Sequence, residues 1–285
     1  MNSLRRRIIE AQAESLLLDV GIAGLPVDPV RVAQHLEMGV TAKPPSIKGA
    51  SGWLIRVGEE FAIVYATHID SIGFQHFSIA HEIGHYMLDG HAEHVFRNGN
   101  EHSSHAGFGS GDDVEREADY FAACLLMPKL LCSKLINARQ DGMAAVVNLA
   151  GHCKTSLTAA ALRYAEIGGL PVGIIQCFAG KVEFCASYPL LEHVGWARAL
   201  PRNHKVPVNS ATRRMSEDEQ AILSCTEGSD TCDAGDWVPS ADCGVGLIEE
   251  VIGLGRFGRT LTVLTLDPDS AEDDVSDRWD EPRFR

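Results

Sequence analysis

The most informative five residues of the sequence are His81-Glu82-Ile83-Gly84-His85. On a helix, residues four apart stand one turn apart on the same face, so both imidazoles can reach one ion while Glu82 stands beside the open coordination position. That spacing supplies two zinc ligands and a general base together. An ion held there provides an acidified water and a polarised carbonyl; Glu82 takes a proton from that water and later delivers it to the leaving amine. The reaction class this implies is peptide-bond hydrolysis.

Catalytic zinc generally has three protein ligands and one water, so a third ligand must come from elsewhere in the chain. His91 lies ten residues after His81 and imitates the spacing H-E-x-x-H-x-x-G-x-x-H, but Leu88 stands where that pattern needs its turning glycine. Glu115 is the favoured alternative. It opens a separate predicted helix, and Asp119, one turn later on the same face, can accept an N–H from a ligand imidazole and fix its tautomer. Glu117 projects roughly 200° away around that helix and is expected to face solvent. His94, His102 and His105 are expected to be solvated loop residues, with one of them available to donate to the oxyanion.

These groups need elements to position them. Leu4, Ile8, Ala11, Ser15 and Leu18 recur at helical spacing among charged residues, predicting an amphipathic helix over residues 4–18 with that stripe inward and its Arg cluster solvated. Asp28-Pro29 starts a second helix. SGWLIRV and FAIVYA read as two adjacent strands joined by a tight turn near Gly58, and they offer an edge along which an extended substrate can pair. A helix over about Gln75–Leu88 carries the histidines. Residues 91–112 read as one long loop, Asp112 or Asp113 caps the helix VEREADYFAACLLM, and helical material continues to Ile167. Beyond Gly168-Gly169-Leu170-Pro171, VGIIQCF, KVEFCA and RTLTVLTL read as strands, the first two joined at Ala179-Gly180. Trp237 and its surroundings read as core.

With 25 Lys plus Arg against 39 Asp plus Glu, the formal charge of −14 opposes capture of a phosphate backbone, so direct nucleic-acid binding is not expected. At 45% hydrophobic and 22% charged residues the chain can bury a full core. No apolar run approaches the roughly 20 residues of a membrane helix, and the opening residues lack a signal-peptide pattern, which predicts a soluble cytoplasmic protein. The eight cysteines contain no C-x-x-C pair and are expected to be free thiols; Cys225, Cys232 and Cys243 lack the paired spacing of a second zinc site.

FSIAHEIGHYML at 77–88 and EREADYFAACLLMP at 115–128 together resemble the ImmA/IrrE zinc metallopeptidases. The resemblance implies that His81, His85 and Glu115 bind Zn2+, that Glu82 is the base and that Asp119 supports a ligand from behind. It covers about residues 50–130. It further implies a cytoplasmic enzyme whose substrate is a helix-turn-helix repressor.

The expected fold class is α+β: a zincin-like metallopeptidase domain over 1–138, with a small sheet and an active-site helix, then a helical, helix-turn-helix-like extension over 139–168. A C-terminal mixed α+β sensor-like domain over 169–266 and an acidic tail over 267–285 complete the chain. Two other functions fit the same residues. One is a zinc-containing regulator that docks on a repressor without cutting it, and the other is a DNA-binding regulator using residues 139–165.

Overall fold

The computed structural model describes residues 1–46, 49–104, 112–136, 141–168, 171–186, 194, 200–238 and 244–271. His105, Arg139, Cys243 and the tail from residue 272 lie outside the described residues. The chain divides into two compact units, Met1–Leu135 with Asn148–Ala160, and Ile136–Val147 with Ala161–Arg285. The fold is mixed α+β.

In the first unit, α1 (Ser3–Val20) starts at Asn2, whose side chain accepts from the Arg5 N–H, and α2 (Pro29–His35) starts at Asp28 with Pro29 in its first turn. The inward face of α1 differs from the expected one. Ile9, Ala13, Leu16 and Leu17 are buried, whereas Leu4 and Leu18 are 66% and 76% exposed. A stripe through Leu4, Ile8 and Leu18 is about one residue out of phase with the buried face, because apolar residues occur on both sides of the true seam. Ile9→Ala should therefore destabilise the protein by about 2–5 kcal/mol, and Ile8→Ala by no more than about 0.5 kcal/mol. Urea unfolding of the two variants checks this, and the reverse order would reassign the face.

The sheet of this unit has the order β1-β3-β2-β4. Strand β1 (Gly39–Lys43) runs parallel to β3 (Glu60–Ala66), and β2 (Gly52–Val57) is antiparallel to both β3 and β4 (Glu101–Ser104). Val57 pairs with Glu60 across the tight turn, as the hairpin reading expected. The substrate-edge reading of these two strands is corrected: β2 and β3 are each paired on both sides, and the outer strands are β1 and β4.

The long-loop reading of 91–112 is corrected as well. Its described part contains a short helix, α4 (His91–Val95), and the whole of β4. Strand β4 has the sequence EHSS, which lacks apolar alternation; its place in the sheet comes from backbone pairing with β2. Helix α3 (Ile72–Met87) packs beneath β2 and β3 and against α5 (Asp113–Leu126), which in turn packs on α1. Ile79, Ile83, Phe121, Leu125 and Leu54 meet in the resulting core. Helix α6 (Lys129–Ile136) follows, and the stretch Asn148–Ala160 contributes the end of α7 (Gly142–Cys153) and the start of α8 (Leu157–Ile167) to the same unit.

The second unit contains a five-stranded antiparallel sheet of order β6-β5-β9-β8-β7. Its strands are β5 (Val172–Phe178), β6 (Lys181–Ala186), β7 (Glu227–Asp233), β8 (Gly246–Gly253) and β9 (Arg259–Leu266). The β5–β6 turn falls at Ala179-Gly180, and Trp237 is fully buried beside Ile175, Leu247 and Leu264. No disulfide joins the described cysteines.

Candidate metal centre

Helix α3 begins at Ser71, whose hydroxyl accepts from the Phe74 N–H, and it buries His81, Glu82 and His85 almost completely. Helix α5 begins at Asp112, whose carboxylate accepts from the Val114 N–H, so Glu115 falls in its first turn. Gly84 faces α5 where the helices cross; a Cβ there would stand 3.2 Å from both Ala118 Cα and the Phe121 ring. That close approach brings Glu115 to the two imidazoles.

His81 Nε2 lies 3.0 Å from His85 Nε2, and the Glu115 carboxylate oxygens lie 3.3 Å from His81 Nε2 and 3.4 Å from His85 Nε2. A four-coordinate ion with bonds of about 2 Å sets its ligand atoms roughly 3.3 Å apart, so the donor set fits such an ion. Among the described residues, this is the group of His, Cys, Asp and Glu side chains that can hold a metal. His81 Nδ1–H donates to Asp119 Oδ1 at 2.9 Å, on the side away from the donor set. The structure thus brings His81, His85, Glu115 and Asp119 together.

Glu82 is fully buried, and neither of its carboxylate oxygens meets full hydrogen-bond geometry with a described residue, although the Ser104 hydroxyl stands close enough to favour the ionised form. Burial pushes its pKa up to about 7. The His85 imidazole, also buried, drops to about 4. Burial opposes a proton on His81, but hydrogen bonds to Asp119 and Glu115 outweigh it and raise the pKa to about 10. Glu115 is desolvated too, yet the imidazoles of His102, His81 and His85 around it hold it well below the usual carboxylate range.

Three residues that the sequence places in solvent or outside the centre take part. His102 on β4 donates from Nε2 to Glu115 Oε1 at 3.1 Å, and its ring centre is 4.8 Å from that of His85. It sits opposite Leu54, on the sheet face that covers α3. Its residue type is its only signal in the sequence. His91 is outside the donor set, as the leucine at position 88 implies, but it is 2% exposed and packs behind His85. Glu117 is corrected from solvent-facing to part-buried: it pairs with Arg5 of α1 and with His91. The helical wheel aims it away from the donor set, and α1 and α4 cover that side. Arg5, expected in a solvated cluster, is the partner. His94 lies on α4, partly exposed, beside Asp112 and Arg97.

A small mixed sheet over a buried helix carrying two histidines and a glutamate, with a carboxylate from the next helix closing the group, is the arrangement of a zincin-like fold. Residues 55–164 match the family model described as the IrrE N-terminal-like domain, of the peptidase M78 family. A solved structure described as a Mycobacterium tuberculosis transcriptional regulator is similar in fold, with a TM-score of 0.60 at 14% identity over 93% of this chain and 77% of that one. No curated protein matches the chain in sequence. None of the described helices is long and apolar enough to cross a membrane.

Proposed function

We propose that the chain is a zinc-dependent endopeptidase of the cytoplasm that cuts a helix-turn-helix repressor. The observation that carries this is the convergence of His81, His85 and Glu115 beside a fully buried Glu82. Two imidazoles and one carboxylate suit zinc. When bound, the ion supplies an acidified water and positive charge for the carbonyl oxygen.

The remaining steps belong to the chain. Glu82, with its pKa near 7, takes a proton from water and returns one to the departing amine. Asp119 holds His81 with Nδ1–H outward. His102, partly exposed on the sheet side, becomes the donor for the developing oxyanion once its Nε2–H is released from Glu115. The outer edge of β4, next in line from β2, pairs with an extended substrate backbone. The family resemblance supports a repressor as that substrate, and a basic DNA-binding protein complements the charge of −14.

Incubating the zinc-loaded protein with a small helix-turn-helix repressor encoded beside it should yield two fragments by intact mass spectrometry, and none after chelation. A repressor that stays whole under both conditions would overturn the substrate assignment.

Zinc affinity should also depend on pH with a definite sign. His81 holds a proton up to about pH 10 in the metal-free protein, whereas His85 has lost its own by about pH 4. Binding must therefore expel roughly one proton from His81, and affinity should rise about tenfold from pH 7.5 to 8.5. Competition with a chromogenic chelator at the two pH values measures it; an unchanged affinity would refute the protonated His81.

A further inference from the structure

We infer that His91 is a positioning residue that sets the tautomer of His85, as the inner end of a relay from Arg5 through Glu117. The inference rests on the reading of His85 as a metal ligand. Arg5 donates from Nε at 2.9 Å and from Nη2 at 2.6 Å to a single oxygen, Glu117 Oε2. The same oxygen lies 3.2 Å from His91 Nε2, and His91 Nδ1 lies 3.4 Å from His85 Nδ1.

With His91 and His85 neutral and His81 Nε2 3.0 Å from His85 Nε2, proton bookkeeping then runs one way along the relay. A carboxylate fixed by a guanidinium can only accept, so His91 Nε2 carries its hydrogen toward Glu117. Neutral imidazole has one N–H, so His91 Nδ1 is a bare acceptor. Its neighbour there, His85 Nδ1, must donate, and that leaves the His85 Nε2 lone pair facing His81 and Glu115. His81 is held in the same sense by a different group, since its Nδ1–H donates to Asp119. Both histidines thereby present Nε2 to the donor set, one aligned by a carboxylate directly and the other by a neutral imidazole backed by an ion pair.

Helix α5 grips His85 from two directions through this arrangement. Glu115 meets it at Nε2, while Glu117, two residues on, reaches its Nδ1 side by way of His91. The His91 ring has little freedom to turn away, because the residue is 2% exposed and its backbone N–H bonds to the Leu88 carbonyl at 3.1 Å. Leu88, which prevents the extended three-histidine pattern, ends α3 with an extended backbone and so sends the chain to place His91 behind His85 instead of beside it.

The test uses full-length protein with three variants. His91→Phe removes the acceptor while keeping a ring. His91→Asn restores an acceptor near the Nδ1 position, and Glu117→Ala leaves every ring in place while cutting the relay. Long-range 15N–1H spectra of the metal-free protein report the His85 tautomer directly, and chelator competition with zinc reports affinity. Wild type should show hydrogen on His85 Nδ1. His91→Phe should lose that preference and bind zinc roughly 10–100-fold more weakly, with Asn recovering most of the loss and Glu117→Ala showing part of it. Hydrogen on His85 Nε2 in the wild type, or wild-type zinc affinity in His91→Phe, would overturn the inference. If His91→Phe does not fold, the tautomer in wild type and Glu117→Ala decides it. Because the tautomer is read without metal or substrate, it can fail while peptidase activity stands, or hold in a protein that cuts nothing.

Discussion

On the proposed function, Glu82→Gln should lower peptide-bond cleavage by about 10²–10⁴-fold while zinc binds at the wild-type stoichiometry. Gln matches Glu in shape but cannot take a proton, and Glu82 is outside the donor set, so the two readouts separate. A protein that acts by docking alone would keep its effect on the repressor in this variant. Thermal stability adds an independent check. Burial raises the Glu82 pKa to about 7, so the native metal-free protein favours the neutral carboxyl, and ionising it costs stability progressively as pH rises from about 4.5 through 7. Metal-free Glu82→Gln should therefore melt higher than wild type at pH 8, with the gap closing by about pH 4.5. A variant that melts lower at pH 8 would show that the carboxylate has partners that stabilise it.

Gly52→Ala should lower kcat/KM by about 10²-fold without replacing any residue that bears a functional group. Gly52 begins β2, and a Cβ added there would stand 2.5 Å from Glu82 Oε1 and within 3.3 Å of its Cγ and Cδ. No such contact survives, so the carboxylate must move. The backbone at Gly52 is ordinary strand paired with Tyr65 and Ser104, which leaves the fold able to accept alanine. Zinc affinity should stay within a fewfold of wild type because His81, His85 and Glu115 are not displaced. Steady-state kinetics beside chelator competition checks both halves; wild-type kcat/KM would mean that Glu82 does not work from the position it occupies against β2.

What is readable in the sequence is whatever depends on one helix at a time. His81 and His85 share a face because of their spacing, Glu115 and Asp119 share another for the same reason, and Asp28, Asp112 and Pro29 announce helix starts by capping chemistry. What is not readable depends on which surface covers which. Glu117 points away from the donor set yet not into water, because α1 and α4 lie over it. His102 belongs to a strand that exists only by pairing with β2, and nothing in EHSS announces it. The expected inward face of α1 is about one residue off, since Ile8 and Ile9 are equally apolar and only packing against α5 decides between them. The parallel partner of β3, Gly39–Lys43, has mostly exposed or half-exposed residues and no apolar alternation to mark it.

Gly84 carries the broader consequence. In the motif it occupies an unspecified position, and it neither binds nor transfers anything, yet its missing side chain sets how near two helices come. A larger residue there would act as a spacer, lifting the carboxylate of one helix off the imidazoles of the other while leaving both helices intact. The tolerance of the centre is thus decided at a contact of carbon with carbon, and relatives that keep every donor but enlarge this position are where an unmetallated, purely structural descendant of the fold should be sought.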